Sequence, residues 1–109
     1  MIEPVKLDVL KALSPGVCAM SEAGIDYVFL PGLKVTTGLE TRTVDGLLCP
    51  MHHSGYSTRL FLSEPIPSRG QNWTMHTILS RSWHTWSWNH VPCSLGLAQI
   101  VSAHLRALR

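Results

Sequence analysis

RSWHTWSWNH, residues 81–90, carries three of the chain's four tryptophans and two of its six histidines, and it contains no cysteine. Tryptophan is large and seldom wholly buried, and its indole N–H needs an acceptor. So aromatic a stretch either closes a core from its rim or lines a site. We read it as an irregular loop between a sheet and a closing helix. Three indoles cannot all point inward from so short a loop. At least one of Trp83, Trp86 and Trp88 is therefore expected to seal the gap between sheet and helix, and another to flank a partner groove.

On the C-terminal side, Leu97, Ile100, Val101, His104, Leu105 and Leu108 recur at helical spacing and predict a terminal amphipathic helix, with Pro92 and Ser94 as start signals. On the N-terminal side, WTMHTILS (73–80) reads as a short strand or as irregular chain, and EPIPSRGQN (64–72) turns the backbone away from a sheet. Earlier come the strand-like runs YSTRLFLS (56–63) and TVDGLLC (43–49), and then IDYVFLPGLKVTT (25–37). In the last of these, Pro31-Gly32 divides two β-rich halves and predicts the tight turn of a hairpin. Leu7, Leu10 and Leu13 in PVKLDVLKAL (4–13) make one apolar stripe on a short helix that Ser14-Pro15-Gly16 stops. Four strands on short connections predict an antiparallel meander. The expected fold is α+β: a four-stranded meander with an N-terminal helix, and a C-terminal helix packed on the sheet, in a single domain spanning 1–109.

The chain has 109 residues, 45% of them hydrophobic and only 15% charged, which fits one core and points to a surface partly covered by a partner. The net charge of +2 comes from nine basic and seven acidic residues scattered along the chain. No basic stripe tracks phosphates, so nucleic acid is not an expected partner. No apolar run approaches the roughly 20 residues of a membrane span, and MIEPVKLDVLKAL has no continuous signal-peptide core, so the expectation is a cytoplasmic protein with no membrane partner. Cys18, Cys49 and Cys93 form an odd set without CxxC spacing and read as reduced, partly buried thiols.

VDGLLCPMHHSGY (44–56), RLFL (59–62), and WHTWSWNH (83–90) followed by the Leu97–Leu108 helix together resemble the ubiquitin-conjugating (UBC-like) superfamily. More particularly, they resemble a divergent bacterial branch of it associated with multi-ubiquitin-like proteins. The first resembles a strand running into that branch's leucine-proline-Gly-Tyr-type turn, the second its next strand, and the third its tryptophan-x-x-tryptophan-serine signature. The resemblance covers roughly two thirds of the chain. It implies a UBC-like fold, with a ubiquitin-like protein and an activating enzyme as partners and no cofactor. Residues 63–92 hold neither the His-Pro-Asn stretch nor the cysteine of ordinary conjugating enzymes. The usual thioester carrier is missing from its place.

Three chemistries stay open. Ser87, with His84 and His90 three residues to either side, could take a modifier as an oxyester if a histidine near its ordinary pKa of about 6.5 removes the hydroxyl proton. The surrounding tryptophans would exclude water. Cys93, at the expected start of the last helix, is the second candidate, since the helix dipole favours a thiolate there. The third is zinc, for which Cys49, His52 and His53, or His84, His90 and Cys93, are ligand types without paired spacing, so no metal site is expected. His104 on the apolar helix face reads as a buried histidine bonded to a backbone carbonyl. Arg59, opposite to Leu60 along its strand, is expected on the exposed face, where it fits a partner surface. Against the catalytic readings stands a non-catalytic UBC-fold module that scaffolds an activating enzyme and a ubiquitin-like protein.

Overall fold

The computed structural model describes residues 7–37, 40–50, 58–66, 73–86, 91–92 and 94–106. Six strands form one antiparallel sheet: β1 (Cys18–Glu22), β2 (Ile25–Thr37), β3 (Glu40–Cys49), β4 (Arg59–Leu62), β5 (Trp73–Ile78) and β6 (Arg81–Trp86). Among the described residues one α-helix, α1 (Leu97–Arg106), follows. The order across the sheet is β1-β2-β3-β4-β6-β5, so of the expected four-stranded meander three strands remain, β2, β3 and β4, with the two expected halves of 25–37 joined in β2; β1 and a hairpin whose second strand lies innermost are additions. The fold is α+β, as expected, with six strands in place of four.

The aromatic stretch accounts for part of the difference. Residues 81–86 are strand β6, in unbroken register with β5 from Trp73↔Trp86 to Ile78↔Arg81. The turn between them, Leu79-Ser80, has both residues at positive φ, 55° and 62°, the hairpin geometry whose twist matches that of the flanking strands. WTMHTI is therefore a strand. Strand β1, whose five residues are all exposed, has no apolar alternation to announce it and is held by pairing with β2 across the Ala23-Gly24 turn.

Pro31-Gly32 is not a turn. β2 runs through it, and Pro31 and Gly32 together face Asp45 alone, between the pairs Leu30↔Gly46 and Leu33↔Val44. Proline has no N–H for a ladder, and inside a sheet it is tolerated at such a bulge. Gly32 takes φ +68°, and its N–H donates to Asp45 Oδ1 at 3.1 Å. A Cβ on Gly32 would meet nothing within 4 Å. Gly32→Ala is therefore expected to cost only the conformational penalty, about 1–2 kcal/mol in a urea titration, with the sheet intact.

The expected N-terminal helix reduces, among the described residues, to a 3-10 turn at Asp8–Leu10; residues 4–6 lie outside them. Its stripe still serves: Leu7 and Leu10 are buried and Leu13 packs beside them. Ser14 Oγ then donates to the Pro31 carbonyl at 2.7 Å, joining this turn to the bulge.

The sheet buries both faces. Leu30, Leu33, Leu48, Leu60, Leu62 and Trp86 form the main core with Ile100 and Val101 of α1, whose first turn is closed by Gly96 N–H donating to Gln99 Oε1 at 3.0 Å. On the other face Tyr27, Leu47, Cys49, Phe61, Ile78 and Trp83 make a second cluster. β2 and β6 are three strand spacings apart, about 14 Å in a flat sheet. Yet the Phe29 and Trp83 rings meet edge-on at 6.2 Å. The sheet must curl toward this face. The Leu79 N–H, at the tip of the last hairpin, donates to the Glu22 carboxylate at the end of β1.

Candidate functional site at the sheet–helix border

Trp86 closes the seam between sheet and helix. It ends β6 at 2% exposure, leans on Trp73 with ring centroids 5.2 Å apart, and meets the His104 ring edge-on at 6.2 Å. Its buried Nε1–H has no acceptor among the described residues.

Beside it, Thr58 joins three parts of the chain. Its hydroxyl donates to the Val91 carbonyl at 2.8 Å, since a carbonyl can only accept. With its one hydrogen so used, Thr58 Oγ1 must accept from His104 Nε2–H at 2.9 Å. His104 thus carries a proton on Nε2. Burial, with the Arg59 charge as a lesser cause, lowers its pKa to about 4. The expected backbone-carbonyl bond is replaced by one to a hydroxyl, which passes it on to Val91.

Trp86 and Val91, the described residues on either side of 87–90, are both buried. Ser87, Trp88 and His90, and likewise Cys93, lie outside the described residues. His84 is half-buried on β6 and paired with Leu62 and Met75. Strand alternation puts it on the Trp86 face.

The same alternation sends Trp83 to the opposite face, so the indoles are divided between faces of a strand rather than along a loop. Trp83 is 2% exposed, donates from Nε1 to the Ile78 carbonyl at 3.2 Å, and carries the Arg81 guanidinium 4.6 Å above its ring. Arg81 also pairs with Asp45 at 2.9 Å, and that bond holds the Asp45 carboxyl below its usual range. Met20, Phe29, Leu79, Arg81 and Trp83 line a small hollow of about 100 Å³.

Arg59 corrects an expectation. It does project opposite to Leu60, but that face is covered because the sheet curls, and Arg59 is only 5% exposed. Its guanidinium lies 5.9 Å from the Phe61 ring centre, and its Cα partner across the sheet is Cys49. The Val28↔Leu48 register places Tyr27 on the far side of Cys49, so a phenol, a thiol and a guanidinium stand in one buried row. Burial, then Cys49 and Glu22, raises the Tyr27 pKa. Burial, then Arg59, lowers that of His76.

Cys49 has no exposed surface and cannot meet an incoming carboxyl terminus, whereas Cys18 is exposed on β1, four strands from β6. Neither zinc grouping falls wholly within the described residues, and these contain no cluster of three metal-ligating side chains. No helix among them is long and apolar enough to cross a membrane. Thr58 and Arg81 are the positioned residues the sequence reading missed. Arg81 shares a face with Trp83 only once 81–86 is a strand, and Thr58 meets His104 across 46 positions.

Comparison with protein-family models, with curated proteins and with solved structures finds no match to this chain.

Proposed function

We propose that the chain is a UBC-like binding component of a ubiquitin-like protein conjugation pathway. In this reading it holds a ubiquitin-like protein and its activating enzyme at the border of β6 and α1 without itself carrying the modifier. The observation that carries the reading is the joining of sheet and helix at this border, with Trp86 buried on the sheet and Val91 tied through Thr58 to α1. The sequence that follows Trp86 adds a further tryptophan, Trp88, a residue type enriched at interface hot spots.

A second reading is favoured by one observation, the buried Trp86 N–H without an acceptor. Such a donor is costly to leave unmade, and a carbonyl bound beside it would satisfy it. In that case Ser87 Oγ attacks the modifier's thioester carbonyl on the activating enzyme, His84 or His90 takes the hydroxyl proton, and the thiolate leaves, giving an oxyester on Ser87.

The test combines the chain with its activating enzyme, its ubiquitin-like protein and ATP, and follows complex formation by gel filtration and covalent change by intact mass. The expected result is a complex with no gain in mass. A gain equal to the modifier less one water, stable to thiols, released by hydroxylamine and lost in Ser87→Ala, replaces this reading with the oxyester carrier. A thiol-labile gain assigns Cys93 or another cysteine. Neither complex nor adduct removes the chain from the pathway.

A further inference from the structure

Among the described residues β5 is an outer strand of the sheet, and its own sequence carries none of the devices that keep such strands apart. Native edges are blunted by lysine, proline, a bulge or shortness. WTMHTI has six residues with no charge and no proline, and pairs with β6 without a bulge. Met75 on it is 64% exposed, the most exposed large apolar side chain among the described residues.

The turn settles which backbone groups are open. In the two-residue Leu79-Ser80 turn the flanking Ile78 and Arg81 are hydrogen-bonded to each other. Alternation then directs the N–H and C=O of Ile78, His76 and Thr74 toward β6, and those of Thr77, Met75 and Trp73 outward.

We infer that β5 is a homodimer edge, pairing antiparallel with β5 of a second copy about a two-fold axis at Met75. An axis normal to the sheet keeps the faces aligned, so residues opposite each other must share a face. Centring on Met75 meets that condition and uses every outward group: Met75 pairs with Met75 of the second copy, and Trp73 with Thr77 of the second copy on either side, for about six hydrogen bonds. The occupant is a second copy because the edge is complementary to itself. It sets no like charges across the axis and offers no charge for a charged partner to recognise, and it places the exposed Met75 side chain against its own equivalent. Two six-stranded sheets become one. This inference is independent of the conjugation reading.

Sedimentation equilibrium of the full chain is expected to show a monomer–dimer equilibrium. Met75→Lys, which sets two ammonium groups across the axis, is expected to raise the dissociation constant at least about tenfold. Met20→Lys, on the opposite edge, leaves it unchanged. Near-ultraviolet circular dichroism of the tryptophans checks the fold of each variant. Should Met75→Lys fail to fold, oxidative cross-linking decides. Hydrogen-bonded pairs have Cα atoms about 5.5 Å apart, within disulfide reach. Met75→Cys is therefore expected to give a peptide linked between the two 75 positions, while Thr77→Cys, which faces Trp73, gives no such link. A parent chain that stays monomeric to its solubility limit overturns the inference. So does a dimer that Met75→Lys leaves as tight as before, or equal linkage at positions 75 and 77.

Discussion

Trp86→Ala is expected to lower the unfolding free energy by about 3–5 kcal/mol, enough to leave a domain of ordinary stability largely unfolded. The side chain is 2% exposed and packs with Trp73, His104 and the core below α1, so truncation opens a void where the helix is seated. Losing the unpaired Nε1–H returns part of that cost, because an unsatisfied donor goes with the ring. Trp86→Phe, which keeps a ring and drops the donor, should cost much less. Urea titrations followed at once by helical circular dichroism and by tryptophan fluorescence measure both variants. In Trp86→Ala the helical signal should melt first or together with the sheet. A cost below about 1 kcal/mol would mean that α1 is seated by something other than this indole. Trp83→Ala also empties a buried site, but on the face away from α1, so it should loosen the β5–β6 hairpin and its Ile78 bond before it loosens the helix.

The terminal helix was legible because one of its faces is buried and the other wet. Ile100, Val101 and His104 are buried at the spacing that predicted the helix. The misread parts break that pattern in two ways. In β6, Trp83, Thr85 and Trp86 are all buried because both faces of the strand are covered, so polar and apolar residues do not alternate and the segment looks irregular. In β1 all five residues are exposed and nothing alternates either. Pro31-Gly32 has the composition of a turn, and only the pairing of β2 with β3 on both sides of it shows a bulge.

The site was legible in part for a related reason. The expectation that one tryptophan seals the gap between sheet and helix is met by Trp86, while Trp83 is buried on the opposite face through strand alternation, which a loop reading does not supply. Arg59 was assigned its correct side of the strand and the wrong environment, because burial of that side depends on the curl that brings Phe29 to Trp83. His104 was placed in the core from its own helix, but its partner Thr58 comes from a different strand end and leaves no trace in local spacing.

The burial of His104 makes stability depend on acid. His104 binds its proton near pH 6.5 in the unfolded chain and near about 4 in the folded one, where burial comes first and Arg59 second in disfavouring the imidazolium. Between those values the unfolded state holds more protons, so lowering the pH favours unfolding. The contribution is fully present above about pH 6.5 and is lost as the pH falls toward 4. For a histidine only 2% exposed, the difference amounts to about 3 kcal/mol. His76, half-buried and shifted the same way, adds to the loss in the same direction. Asp45, whose carboxyl is held low by Arg81, acts in a separate window, its contribution disappearing only as the pH falls below 3.8. Urea midpoints between pH 7.5 and pH 4 should therefore decline steeply in the parent chain. In His104→Gln, which can keep an N–H donor toward Thr58 and does not titrate, the decline should flatten, and in His104→Gln with His76→Gln it should flatten further. A parent profile that is flat over this range, or a His104→Gln profile as steep as the parent's, would show that the imidazole is not held neutral between Thr58 and Trp86.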